Sequence, residues 1–476
     1  MLGQPRIDVC QTACGMLRDW ADGNLSTTKL HRHMMHMVHD GFLQPAVTRL
    51  ASIGIRIDDR HCLQNLVRLM GTMGVMQFLS PVVGGGDLTH LIRPSTLFGT
   101  LLRSAPDKFR MHVVGGSDDR VLSFWQGLAS SELGAQLFGI HPDLRGKRPD
   151  DLKRSIPVRV WEDAGPFTKA GGSVSVLCWS SLLGKGKESE CKFLVWCSYN
   201  EAGVPPNQSA WDLFLEDIDL MALGLDGSGQ ALIGSDGMSW SLILLFGGAD
   251  MEGEVKWGMQ SYNAINEMCG RCLADRGERP FSDTRQNAEW CKTSPLSNAV
   301  FLERIRRAMH PLAMCRQANI FFFRLDVMHV LDHHGTTAIV VASTLKKAIK
   351  TSLTLGSNQD ARLAAINAKL RDFNRARPSS RMLKRFTHKN MDLDGWAELH
   401  GPLIKASVCR HLAPFSQLIA NELFASGSVH DVAVRQANDS ICKMYNILYS
   451  SGMFCTAVEK ADFASSVGSL GTVFSF

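Results

Sequence analysis

The chain has 476 residues, 45% hydrophobic and 20% charged, a balance that excludes a disordered protein and fits a folded globular one. Its formal charge is +5, but between Lys346 and Asn390 twelve Lys and Arg stand against Asp360 and Asp372 alone, so this window carries +10 and the remainder −5. That polarity points to a polyanionic partner. Thirteen cysteines, an odd number scattered over a long chain, argue for reduced thiols with local metal sites rather than a disulfide framework. Met1 to Asp19 shows no basic flank followed by an apolar run, and no apolar stretch is long enough to span a bilayer. A soluble, intracellular protein with no membrane partner is the expectation.

In chain order, residues 1–150 read as a helical region with loops at DGNLST, VVGGGD and VGGSDD. LSTTKLHRHMMHMVHDGF offers Ser26 or Thr27 as an N-cap and Gly41 as a stop. His33, His36 and His39 share one face of that helix. With no carboxylate or Cys beside them they read as a polar face rather than a metal site.

Residues 151–345 form the expected α/β core. SIPVRVWED, SVSVLCWSSL and KFLVWCSY read as three strands, SAWDLFLEDIDLMALG as a helix, and SWSLILLFGGAD as a buried strand. This βββαβ order is the opening order of the ribonuclease H-like fold. Residues 251–315 read as an insertion. NIFFFRLD then supplies a further buried strand and TTAIVVASTLKKAIK the following helix, ahead of a basic helical region over 346–476.

Three Asp fall at strand ends: Asp163 after PVRVWE, Asp250 after LILLFGGA and Asp326 after IFFFRL. Carboxylates on adjoining strand ends converge although distant in sequence, and hard oxygen ligands of this kind suit Mg²⁺ or Mn²⁺. Two such ions about 4 Å apart activate a water or 3′-hydroxyl and stabilise the leaving oxygen of a phosphodiester. The plainer reading is that each Asp caps a loop or helix.

Cys269 and Cys272 form a CxxC suited to one face of a tetrahedral Zn²⁺. Cys291 and either His310 or His329 are the candidates to complete it. Arg371, Arg375, Arg377, Arg381, Lys384 and Arg385 make a stripe for phosphates, with Arg371 and Arg375, and Arg377 and Arg381, one helical turn apart and a bend at Pro378. Such contacts position a nucleic acid without reading its sequence. His333 and His334, beside Asp332, read as bystanders.

IPVRVWEDAGPFTK followed by WSSLLG, the GGAD ending at Asp250, MCGRC, and DVMH followed by Gly335 together resemble the DDE/D transposase cores of the Plavaka and CACTA group of cut-and-paste elements. The resemblance covers roughly Ser155 to Phe415. It implies metal-dependent DNA cleavage and strand transfer in the nucleus, is compatible with a homo-oligomer, and pairs Asp326 with His329 as a D-x-x-H. Relatives often carry an acid in a KAAETR-like helix where this chain reads KASVCR, with Val408 at that position. The third acid is then Asp326 itself or Glu398 in GWAELHG, and a catalytically dead nucleic-acid-binding remnant is the alternative. The segment from DWADGNLSTTKL to VTRLASIG resembles the leader of transposon-derived proteins of some protists, which adds nothing about mechanism.

Overall fold

A computed structural model of the chain describes residues 79–474 apart from 85–86, 167–172, 201–207, 250–254, 260–268, 325–330, 333–334, 400–403 and a few single or paired positions. The helix with His33, His36 and His39, and the leader-like segment around it, lie outside the described residues.

The first described element, a hairpin, corrects the loop reading of VVGGGD within an N-terminal part whose other described elements are helices. Strands β1 (Leu79–Gly84) and β2 (Asp87–Ile92) pair antiparallel with Gly84 opposite Asp87, so VVGGGD is a hairpin end rather than an interhelical loop. Two glycines between two six-residue runs rich in β-branched and apolar residues are a hairpin signal that helical spacing nearby obscured. Helices α1 (Pro94–Ser104), α2 (Asp119–Ala129) and α3 (Glu132–Ile140) follow.

The predicted strands and helix of the core are then met in order: β3 (Ser155–Pro166), β4 (Ser173–Ser181), β5 (Phe193–Asn200), α4 (Gln208–Ala222) and β6 (Ser241–Ala249). Beyond the insertion and its helix α5 (Asn298–Arg306) comes β7, which among the described residues is Phe323–Arg324. The longer strand expected from NIFFFRLD is therefore corrected. Asn319 accepts from Phe321 N through its side chain (2.8 Å) and from Phe322 N through its carbonyl (2.9 Å), so a turn takes the first half of the run. The five strands form one mixed sheet in the order β5-β4-β3-β6-β7, with β4 and β5 antiparallel and β6 and β7 parallel.

The chain separates into two compact units. The first takes the chain up to Asp118, Ser155–Pro157 and Phe167–Ile243. Its core is aromatic: Trp196 meets Trp211 edge-on at 4.6 Å, Trp179 lies 4.5 Å from Phe193, and Phe98 meets Phe109 at 5.1 Å. Helix α4 buries Trp211, Phe214, Ile218 and Met221 at helical spacing, with Asp217 in the same buried stripe. That carboxylate accepts from Ser95 N (2.8 Å) and Ser95 Oγ (2.6 Å), placing negative charge at the start of α1, where amide groups lack partners.

The second unit takes Asp119–Arg154, Val158–Pro166 and Leu244–Phe476. Its C-terminal part is α6 (Thr336–Thr351), α7 (Gln359–Ala376), α8 (Ala406–Leu423), α9 (Val429–Ser450) and α10 (Ala457–Phe474) around a shared apolar cluster. Asn358 caps α7 by accepting from Ala361 N at 2.9 Å, and Ser428 with Asp431 forms a capping box on α9. Among the described residues no helix is long and apolar enough to cross a membrane.

Candidate functional site

The C-terminal ends of β3, β6 and β7 are where the sequence put its three Asp. β3 and β6 run the same way: at their starts Ser241 Oγ donates to Ser155 Oγ at 2.7 Å, and at their far ends Gly248 lies against the ring of Trp161. A Cβ on Gly248 would stand 2.4 Å from that ring, and one on Gly247 would stand 2.6 Å from Phe322 on the opposite face. The Gly-Gly of GGAD is thus required by two aromatic rings, one on each side of the strand. Gly248 is in register with Arg324 of β7.

Trp161, Gly248 and Arg324 therefore make a row across three neighbouring strands. The Arg324 guanidinium lies 4.3 Å from the centroid of Phe246, two residues before Gly248 and so on the same face. Burial pushes the Arg324 pKa down to about 10, with the charge of Arg271 adding to the effect. Asp163 lies within β3, two residues beyond Trp161, but its side chain is outside what is described. Asp250, Asp326 and His329 lie outside the described residues, as do His333 and His334. On the other face, buried Glu162 accepts from Trp257 Nε1 at 2.6 Å.

Cys269 and Cys272 are brought together. The Cys269 sulfur accepts from the backbone N–H of Arg271 at 3.4 Å and has the Cys272 thiol as a neighbouring donor group. These donors bring the Cys269 thiol down to about 6 against the opposing effect of burial, while Cys272 is pushed up by the same contact and by burial. A thiolate preformed in this way has the donor chemistry that Zn²⁺ takes. Cys291 starts a short 3₁₀ turn and donates weakly to Arg285 O at 3.9 Å. His310 uses Nδ1 to accept from Leu312 N at 3.2 Å, and burial drives its pKa down to about 4, so it is neutral. Among the described residues no three His, Cys, Asp or Glu side chains group around a metal position.

The basic window splits into two sets. Arg362 is buried and donates to Lys350 O (2.6 Å) and Ile349 O, two of the last carbonyls of α6, and to Gly356 O in the connection that follows. Lys346 donates to Asp392 O at 2.7 Å, and Lys369 reaches Glu422 at 2.6 Å. By contrast Arg371, Arg375, Arg377, Lys384 and Arg385 are exposed, with Arg375 paired to Asp372 at 3.2 Å and Arg377 over the Phe373 ring. The expected turn-to-turn pairing of Arg377 with Arg381 is corrected: α7 ends at Ala376, Arg377 is its C-cap, and Met382 to Thr387 are not helical. Pro378 cannot continue a helix and disfavours helical backbone at the residue before it. Arg381 itself lies outside the described residues.

Glu398 is half-buried, and its charge reaches the Cys409 thiol, which Asp332 also raises. Val408 is buried in the apolar cluster with Leu412 and Phe415, a dry position for the acid that the resemblance would put there. Asp332, set aside in the sequence, is fully buried: Arg410 donates to its Oδ2 through Nε at 2.7 Å and through Nη2, and Tyr445 donates to its Oδ1. Its only sequence signal was an Asp following an apolar residue near a helix start.

A scan against protein-family models finds no match to this chain, and a search of curated proteins finds none either.

Proposed function

We propose that the chain is a transposase-like protein with a ribonuclease H-like core that cleaves and joins DNA by two-metal phosphoryl transfer. The observation that carries this reading is the sheet. Its order, β5-β4-β3-β6-β7 with a helix between β5 and β6, is the order of that fold, and the row Trp161, Gly248, Arg324 stands two residues ahead of Asp163, Asp250 and Asp326 respectively. Two residues is the repeat that returns a strand to the same face, so one further repeat would bring the three carboxylates to one edge.

Those carboxylates would hold Mg²⁺ or Mn²⁺, and the ions when bound supply a Lewis acid for the attacking and leaving oxygens. The protein's own part is to align the strand ends, exclude bulk water with Trp161 and Phe246, and fix the DNA backbone through its basic groups. Cys269 and Cys272, the former already thiolate-like, would hold Zn²⁺ with His329 as a candidate further ligand and stiffen the insertion beside β7. Glu398 remains the substitute third acid.

A nicking assay on supercoiled DNA with Mn²⁺ tests the reading. Asp163→Asn and Asp250→Asn are each expected to lower the rate at least about 100-fold. Activity undiminished in both would sink the assignment. One observation favours a second reading, a nucleic-acid-binding remnant without catalysis: position 408, where the resemblance would put an acid, is a Val buried in an apolar cluster. DNA binding by a wild type that does not nick is its expected result.

A further inference from the structure

The sheet end carries a cation that packs on a ring rather than on an acid among the described residues. Arg324 is half-buried, its guanidinium is stacked over Phe246, and among the described residues it has no carboxylate partner. The charge that acts on it is another guanidinium, Arg271, from inside the Cys-Gly-Arg-Cys turn. Arginines withdrawn from water are ordinarily paired, because an uncompensated charge there is costly. A like charge in the same region raises that cost, and an anion arriving from outside would relieve it.

The surroundings say which anion. On the same face Trp161 lies where Gly248 has no side chain and the Arg324 guanidinium lies over Phe246, so a ring and a guanidinium share one face of β6 near its end. A planar fork next to an aromatic surface matches two oxygens of a phosphodiester with a nucleotide beside it. The exposed arginines after Asp360 lie in water and give only screened attraction. Arg324 instead offers a desolvated, oriented contact.

We infer that Arg324, supported by Arg271, holds one backbone phosphate of a DNA strand laid across the ends of β3, β6 and β7. The inference rests on the DNA-processing reading above, and it makes Arg324 a substrate-positioning residue rather than a metal ligand. It places the strand within two residues of each candidate acid.

The test is fluorescence anisotropy of a labelled DNA oligonucleotide with the full chain, titrated at several salt concentrations. Arg324→Met keeps an aliphatic contact with Phe246 and removes the charge. It is expected to weaken binding about tenfold and to reduce the salt slope by about one phosphate contact. Arg324→Lys should keep the slope while losing part of the affinity. Near-UV circular dichroism reports whether each variant is folded; if Arg324→Met is not, Arg271→Met carries the test and is expected to weaken binding severalfold. Wild-type affinity and slope in a folded Arg324→Met, or in Arg271→Met where that variant stands in, would overturn the inference and leave the broader reading intact. A wild type that neither binds nor nicks DNA overturns both.

Discussion

Asp332 carries its charge into a site with no solvent exposure, and side chains from two other helices answer it. Arg410 supplies a fork of two donors from α8, Tyr445 an O–H from α9, and Tyr445 in turn meets Thr337 Oγ1 at 2.7 Å. Burial and the neighbouring carboxylate push the Tyr445 hydroxyl's pKa up, which keeps it protonated and available as a donor. The pair is worth little in net terms against an apolar substitute, but breaking it strands a buried carboxylate. Arg410→Ala is therefore expected to cost about 3–5 kcal/mol of unfolding free energy, read by urea denaturation, while Asp332→Asn should cost less because the charge it leaves unpaired, that of Arg410, still reaches water. Equal, small effects from both would show that Asp332 is neutral in the folded chain.

At the scale of elements, the end of β6 is constrained from both faces. Gly247 and Gly248 lie between Phe322 on one face and Trp161 on the other, so a methyl group at either has no room. Gly248→Ala is expected to cost about 1–3 kcal/mol, and Trp161→Leu in the same chain should recover part of that loss. Thermal melting of the two single variants and the double variant measures the coupling; strict additivity would mean that the ring moves aside freely. Much at this scale was legible in the sequence, because β3 to β6 and α4 announce themselves through period-2 or period-3.6 burial and turn residues. The β1–β2 hairpin was not, since its Gly-rich connection resembles any loop. Asn319 hid a turn inside an apolar run, and Arg324 is the one basic residue of that run.

Across the whole molecule, charge counted in sequence differs from charge offered to a ligand. Of the basic residues after Thr344, Lys346, Arg362 and Lys369 are committed to carbonyls or to Glu422. Arg371, Arg377, Lys384 and Arg385 face water. Replacing Arg371, Arg377 and Lys384 together by Gln should lower the dependence of log K on log salt by about two to three for duplex DNA, with no change in preference among sequences. Replacing Lys346 or Arg362 should act on stability instead. An unchanged slope in the triple variant, measured by filter binding, would remove this face from the interface. The site was less legible than the fold because its acids are defined by where strand ends meet, which no local spacing encodes. The sheet order sets β3, β6 and β7 side by side, a neighbourhood that no local spacing announces.

The thiol pair has a practical consequence for anyone handling the protein. Among the described thiols Cys269 is the one brought down to about 6, while burial pushes Cys409 and Cys442 up to about 11, so of these three Cys269 is the one a maleimide dye would take first. A fluorophore directed there would sit two residues before Arg271, turning the insertion into a reporter of whatever approaches it.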